Sequence, residues 1–219
     1  MKLAALFSGG KDSTYTIYLA RNHEIKYLAT IHCKNPYSYM YHTTNIGLTL
    51  IQSRCMNIRL ISKESKGEKE KEIEDLKILL SDLDIEGVVC GAIESNYQKN
   101  RVEKVCKELN LKLLSPLWKK DQEKLLKEMI KNNFEIIITA VSAQGFDKNW
   151  LGRKIDEKCI EDLIELRNKF KINIAGEGGE YETFVLNGPL FNKRIEITKA
   201  EKIWKDNSGI LEIKDVKLI

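Results

Sequence analysis

Ser8-Gly9-Gly10-Lys11-Asp12-Ser13 follows directly on the apolar run Leu3–Phe7. Two glycines there let the backbone approach an anion without side-chain obstruction. With a strand before the turn and a helix after it, the amides around residues 10–13 converge at a helix N-terminus, where the dipole favours negative charge. Ser8 and Ser13 add hydroxyl donors and Lys11 adds a positive charge. Asp12 reads as an N-terminal helix residue, or as an acceptor for Mg²⁺ or its bound water. This is the chemistry of a phosphate cradle. A Walker A loop would need Gly where Ala5 stands and Ser or Thr where Asp12 stands, so it is excluded. The dinucleotide fingerprint fails too, because no spaced glycines follow Gly10. The plainer alternative is a strand–helix turn with Gly for positive φ and Asp or Ser as the cap.

The elements that must position this turn are legible as a rhythm. Residues 3–7, 27–32, 58–62 and 86–93 are short apolar runs of the kind found in parallel strands buried on both faces, and 111–115 is a weaker fifth. Between them, 68–83 and 96–110 repeat apolar residues at helical spacing. This β-α-β-α order predicts a doubly wound parallel sheet with right-handed crossovers. The rhythm changes near Pro116. Helices are predicted over 121–133 and 157–170, a strand over 134–141, and β-rich sequence after Gly179. The expectation is an N-terminal domain over 1–118 and a smaller α+β domain over 119–219.

Composition narrows the classes. Of 219 residues, 42% are hydrophobic and 31% charged, as in a globular protein. The 36 basic and 32 acidic residues nearly cancel to a net charge of +4, which argues against direct nucleic-acid binding. No membrane-spanning or signal segment is evident. Cys33, Cys55, Cys90, Cys106 and Cys159 are scattered, with no C-x-x-C pair, and read as reduced thiols of a cytoplasmic protein.

The SGGKDS stretch resembles the signature of the PP-loop ATP pyrophosphatases, which belong to the HUP-like (adenine nucleotide alpha hydrolase-like) fold class. The resemblance implies ATP held at its pyrophosphate end and broken between the α- and β-phosphates. Residues 38–45 (SYMYHTTN), 91–106 (GAIESNYQKNRVEKVC), 115–129, 150–156 (WLGRKID) and 173–191 (NIAGEGGEYETFVLNGPLF) make the chain similar to the diphthine–ammonia ligase (diphthamide synthetase) family. That likeness implies adenylation of the diphthine carboxylate on translation elongation factor 2, amidation by ammonium, and release of AMP and pyrophosphate. Mg²⁺ is expected to neutralise the leaving group. The lack of an appended glutaminase-like domain and of extra C-terminal domains suggests free ammonium and an archaeal-type single chain. A homodimer stays open. Two rivals remain, a tRNA-modifying adenylating PP-loop enzyme and a non-catalytic ATP- or AMP-binding regulatory module.

The resemblance also nominates residues. The expected catalytic set is Lys11, Asp12, Arg101 and Glu180. The nucleotide would be held by Ser8, Gly9, Gly10, Lys11, Asp12 and Ser13, with His32, Gly91 and Ala92 near it and Asp12 as metal ligand. In GEGGEYET, Glu177, Glu180 and Glu182 lie among Gly178 and Gly179, and clustered carboxylates suit a cation such as the trimethylammonium of diphthine or ammonium itself. A carboxylate there could instead take a proton from ammonium. Trp118 or Tyr181 could add a cation–π contact. Tyr97, Gln98, Arg101 and Glu103 are candidates for the reacting end, and Ser95 with Gln98 reads as a capping box. His42 is equally a base, a substrate contact or a structural loop histidine. Asp121 reads as a helix cap and Arg153 as a substrate or phosphate contact.

Overall fold

Leu3, Ala4 and Ala5 are fully buried because β1 (Lys2–Leu6) is the middle strand of a five-stranded sheet. The computed structural model describes residues 1–33, 45–66 and 71–219. The chain divides into two compact units, Met1–Lys119 and Lys120–Ile219. In the first, β1 is followed by α1 (Lys11–Leu19), β2 (Glu24–Cys33), α2 (Thr49–Met56), β3 (Arg59–Ser65), α3 (Lys71–Ser81), β4 (Gly87–Val89), α4 (Asn96–Glu108) and β5 (Lys112–Leu114). The sheet is wholly parallel, in the order β3-β2-β1-β4-β5. This is the doubly wound, HUP-like architecture. Strand order reverses between β1 and β4, and in such sheets ligands bind beyond the carboxyl ends of the strands at that point.

One face of the sheet is sealed by α3 and α4. Ile73, Leu76 and Leu80 from α3 and Val102, Val105 and Cys106 from α4 cluster with Ala4, Ala29 and Val88. Small strand residues let helix side chains approach the sheet closely, and burial of each large aliphatic contributes about 1.5–3 kcal/mol. Cys106 belongs to this packing. Burial pushes its thiol up to about 12, with the neighbouring Cys90 and Glu103 adding to the shift, so it is a protonated core residue rather than a nucleophile.

The fourth strand is shorter than the apolar run 86–93 predicts. Pairing stops at Val89, although Cys90 N still donates to Leu114 O at 3.0 Å. Cys90, Ala92 and Ile93 stay buried as loop rather than strand, which explains their apolar character. A buried loop at the switch point is the physical reason for the difference.

The second unit contains α5 (Gln122–Lys131), β6 (Glu135–Val141), α6 (Glu157–Phe170), β7 (Tyr181–Asn187), β8 (Ile195–Lys205) and β9 (Ser208–Leu218). Its strands form a four-stranded antiparallel sheet in the order β7-β6-β9-β8. Asp121 and Asp156 cap α5 and α6, accepting from Lys124 N and Cys159 N at 2.8 Å each. No helix of the described residues is long and apolar enough to cross a membrane.

Candidate functional site

The SGGKDS turn lies between the end of β1 and the start of α1. Gly10 is the N-cap of α1 and no side chain caps the helix, so its first turn of amides has no side-chain acceptor at the cap. Gly9 has φ of +80°, a conformation that other residues rarely adopt. The hydroxyls satisfy one another. Ser8 Oγ and Ser13 Oγ lie 3.2 Å apart, and the Ser13 and Thr14 hydroxyls donate to Gly10 O at 3.0 and 2.8 Å.

The charges sit together. Lys11 is 3% exposed and its Nζ donates to Asp12 Oδ2 at 2.6 Å. Asp12 Oδ1 is buried and has no hydrogen-bond partner among the described residues. An orphaned carboxylate oxygen beside an uncapped helix start fits a cation shared with a phosphate. Among the described residues no group of three or more His, Cys, Asp or Glu could hold a metal ion by itself. Asp12 would therefore supply a single ligand, with nucleotide phosphates supplying others, which is the usual manner of Mg²⁺.

Neighbouring strand ends close on this turn. Thr16 Oγ1 donates to Cys90 O at 3.2 Å, tying α1 to the end of β4. A Cβ on Gly91 would lie 2.8 Å from Asp12 C and 3.0 Å from Ser13 N, so glycine there permits the close approach to the loop backbone. The expected nucleotide contact at Gly91 thus has a second explanation, packing against the turn itself. Ala92 beside it is 7% exposed. His32 is the next-to-last residue of β2, in register with Glu64 of β3. His42 lies outside the described residues.

Along α4, Ser95 accepts from Gln98 N at 3.3 Å as the N-cap, as its side chain predicts. The Arg101 guanidinium stacks 3.5 Å from the centroid of Tyr97, one turn earlier. Glu103 is placed differently. Two residues beyond Arg101 it projects about 200° round the helix, and it pairs with Lys107 at 2.9 Å. The Lys107 ammonium holds its carboxyl below the usual range. Glu103 is therefore directed away from Tyr97 and Arg101 rather than joined to them. The ring of Trp118 carries Lys99 Nζ 4.4 Å from its centroid, so the cation it faces belongs to this chain.

In the second unit, Glu180 holds its own loop. Its Oε1 accepts from Asn173 N and its Oε2 from Gly178 N, both at 2.8 Å. Ser142 completes the turn, donating its amide to Glu180 O at 2.9 Å and its hydroxyl to Gly179 O at 2.6 Å. Gly176 and Gly179 have φ of +74° and +81°. A Cβ on Gly178 would meet the Glu180 carboxylate at 2.8 Å. With an amide on each oxygen, Glu180 positions the turn, and Glu177 and Glu182 are the half-buried carboxylates beside it. Tyr181, a candidate for a cation–π contact, is set into the fold of this unit. The ring is 3% exposed and packs 6.0 Å from Phe146, with its hydroxyl donating to Ile174 O at 2.6 Å.

Arg153 faces a cleft of about 460 Å³ with Asp147, Asn149, Trp150 and Glu165. There it pairs with Asp162 and lies 4.5 Å over the Trp150 ring, contacts that hold the WLGR segment against α6.

Sequence reasoning missed Gln52. It is fully buried in α2 and donates from Nε2 to Gly9 O at 2.9 Å. The available signal was a polar residue on the buried stripe Thr49, Gln52, Ser53 and Met56 of a short helix.

Comparison with known proteins follows this division of the chain. Residues 1–113 match the family model described as diphthamide synthase N-terminal domain, and residues 121–219 match diphthamide synthase C-terminal domain. The human and mouse proteins named diphthine–ammonia ligase are each 39% identical to this chain, over 228 and 243 residues. The alignments cover 93% and 100% of this chain and 85% and 91% of those proteins. The Schizosaccharomyces pombe protein of the same name is 36% identical over 98% of this chain, which spans only 39% of that relative's length. A solved Methanocaldococcus jannaschii protein, described as a predicted subunit of tRNA methyltransferase, is 13% identical at a TM-score of 0.45 over 86% of this chain and 98% of its own. That likeness is too slight to carry function. Identity with the ligases extends through both units, and on that ground the chain belongs to the diphthine–ammonia ligase family and is an enzyme of the ligase class.

Proposed function

We propose that this ligase amidates diphthine on translation elongation factor 2, using ATP and ammonium, through an adenylated carboxylate. The observation that carries the reading is the uncapped, glycine-lined start of α1 at the β1–β4 switch point. It is an anion site next to an orphaned carboxylate oxygen, as a nucleotide with a bound cation requires. The names of the relatives support the substrate.

The chemistry runs in two displacements. A diphthine carboxylate oxygen forms a bond to the α-phosphorus of ATP while the α–β bridging bond breaks and pyrophosphate leaves. Ammonium gives up a proton, the resulting ammonia attacks the activated carbonyl carbon and loses a second proton, and AMP departs with the original carboxylate oxygen. In this scheme the α1 amides and Lys11 hold the pyrophosphate end, and positioning with charge neutralisation supplies most of the acceleration. Asp12 would hold Mg²⁺, which when bound supplies further neutralisation of the leaving group. Arg101 would add positive charge from α4. The GEGGE turn, held by Glu180, presents carboxylates for a cationic group, and proton acceptance from ammonium falls to Glu177 or Glu182. Residues 1–118 would thus bind nucleotide and 119–219 the diphthine side chain. Cytoplasmic location follows from an elongation-factor substrate.

The test is incubation with ATP, Mg²⁺, ammonium and elongation factor 2 carrying diphthine. AMP should form together with a one-unit mass decrease of the factor, the change from carboxylate to amide. ATP binding with neither product would instead identify a nucleotide-binding regulatory module.

A further inference from the structure

We infer that Gln52 is a positioning residue for the phosphate-binding turn, fixing the orientation of the Gly9–Gly10 peptide that faces the nucleotide. The inference rests on the nucleotide reading above and extends it to a residue outside the signature. Gln52 comes from α2, 43 residues along the chain from Gly9, and is fully buried. Its Nε2 donates to Gly9 O at 2.9 Å. The peptide unit is planar and trans, so its carbonyl and its amide N–H point to opposite sides. Holding Gly9 O on the Gln52 side therefore directs Gly10 N–H to the other side, where it meets Ser8 Oγ at 3.4 Å.

The turn needs such a holder. A glycine at φ of +80°, followed by a second glycine, meets little steric resistance to a peptide flip. A flip would turn the carbonyl oxygen of Gly9 toward a bound polyphosphate in place of the Gly10 amide. The same side chain also closes the space beside Gly9, where a Cβ would collide with Gln52 Oε1. Donor and wall together leave one peptide orientation. Thr16 on Cys90 O and Thr30 on Phe7 O, at 3.2 and 2.7 Å, fix carbonyls at the adjoining strand ends in the same manner.

The test uses the full chain with Gln52→Met, which keeps the length and apolar stem without the donor, and Gln52→Ala. Dissociation constants for ATP and for adenosine are measured alongside thermal midpoints. Loss of the donor should weaken ATP by about tenfold, the scale of one hydrogen bond, and leave adenosine binding and the melting curve of Gln52→Met near the wild type. In turnover, KM for ATP should rise more than kcat falls. Equal weakening of ATP and adenosine would mean that Gln52 only packs the fold, and unchanged ATP affinity in both variants would also overturn the assignment. A wild-type chain that binds no ATP would remove the nucleotide reading itself, and this inference with it.

Discussion

Asp12→Ala is expected to lower AMP formation by about a hundredfold or more, the scale seen when a preorganised charge at a reacting centre is removed. Asp12 is in the first turn of α1 with one oxygen on Lys11 Nζ and the other buried without a partner among the described residues. That second oxygen adds no protein hydrogen bond to the fold, so its loss should be felt in the reaction more than in stability. The natural control is Asp12→Asn, similar in shape but unable to offer a full negative charge. It should fall nearly as far as the alanine variant, and the Mg²⁺ concentration required for half-maximal AMP release should rise in it. Wild-type turnover in either variant would remove Asp12 from the proposal.

Glu180→Ala should retain ATP affinity and lose turnover by about tenfold to a hundredfold, with a measurable loss of stability in the second unit. Both oxygens of Glu180 accept backbone amides at 2.8 Å, across a turn containing two glycines at positive φ. Charge-assisted bonds of this kind contribute about 1.5–3 kcal/mol each, less at the exposed Gly178 end than at Asn173. Glu180→Gln discriminates between roles. As a positioning group, glutamine keeps one acceptor oxygen and should restore part of the activity, whereas the loss of a true general base would leave glutamine as poor as alanine. Turnover measured across ammonium concentrations for the three proteins decides between them.

How far the molecule could be read from its residues depended on whether the determining contacts were local. The strand–turn–helix at Ser8–Ser13 was legible because its glycines, hydroxyls and charges are contiguous, and α6 because its apolar residues recur on one helical face. The end of β4 was not, since Cys90 to Ile93 are as apolar as a strand while lying in a buried loop. Tyr181 was a cation–π candidate beside a glycine-rich turn, and its packing near Phe146 and its hydroxyl bond to Ile174 O were not visible in the sequence. Glu103 sits near Arg101 in sequence but on another side of the helix, with Lys107. Gln52 escaped notice because its partner, Gly9, is distant in the chain. Tertiary contacts decided the end of β4 and Gln52, whereas helix periodicity decided Glu103.

The central claim is that the diphthine carboxylate is activated by transfer of AMP, with the bond between the α- and β-phosphates broken. Elongation factor 2 whose diphthine carboxylate is enriched in ¹⁸O tests it most directly, by mass spectrometry of the nucleotide and phosphate products. Formation of an acyl-adenylate followed by amidation predicts AMP carrying one ¹⁸O from the carboxylate and unlabelled pyrophosphate. ADP with ¹⁸O-labelled inorganic phosphate, or AMP without label, would contradict the account.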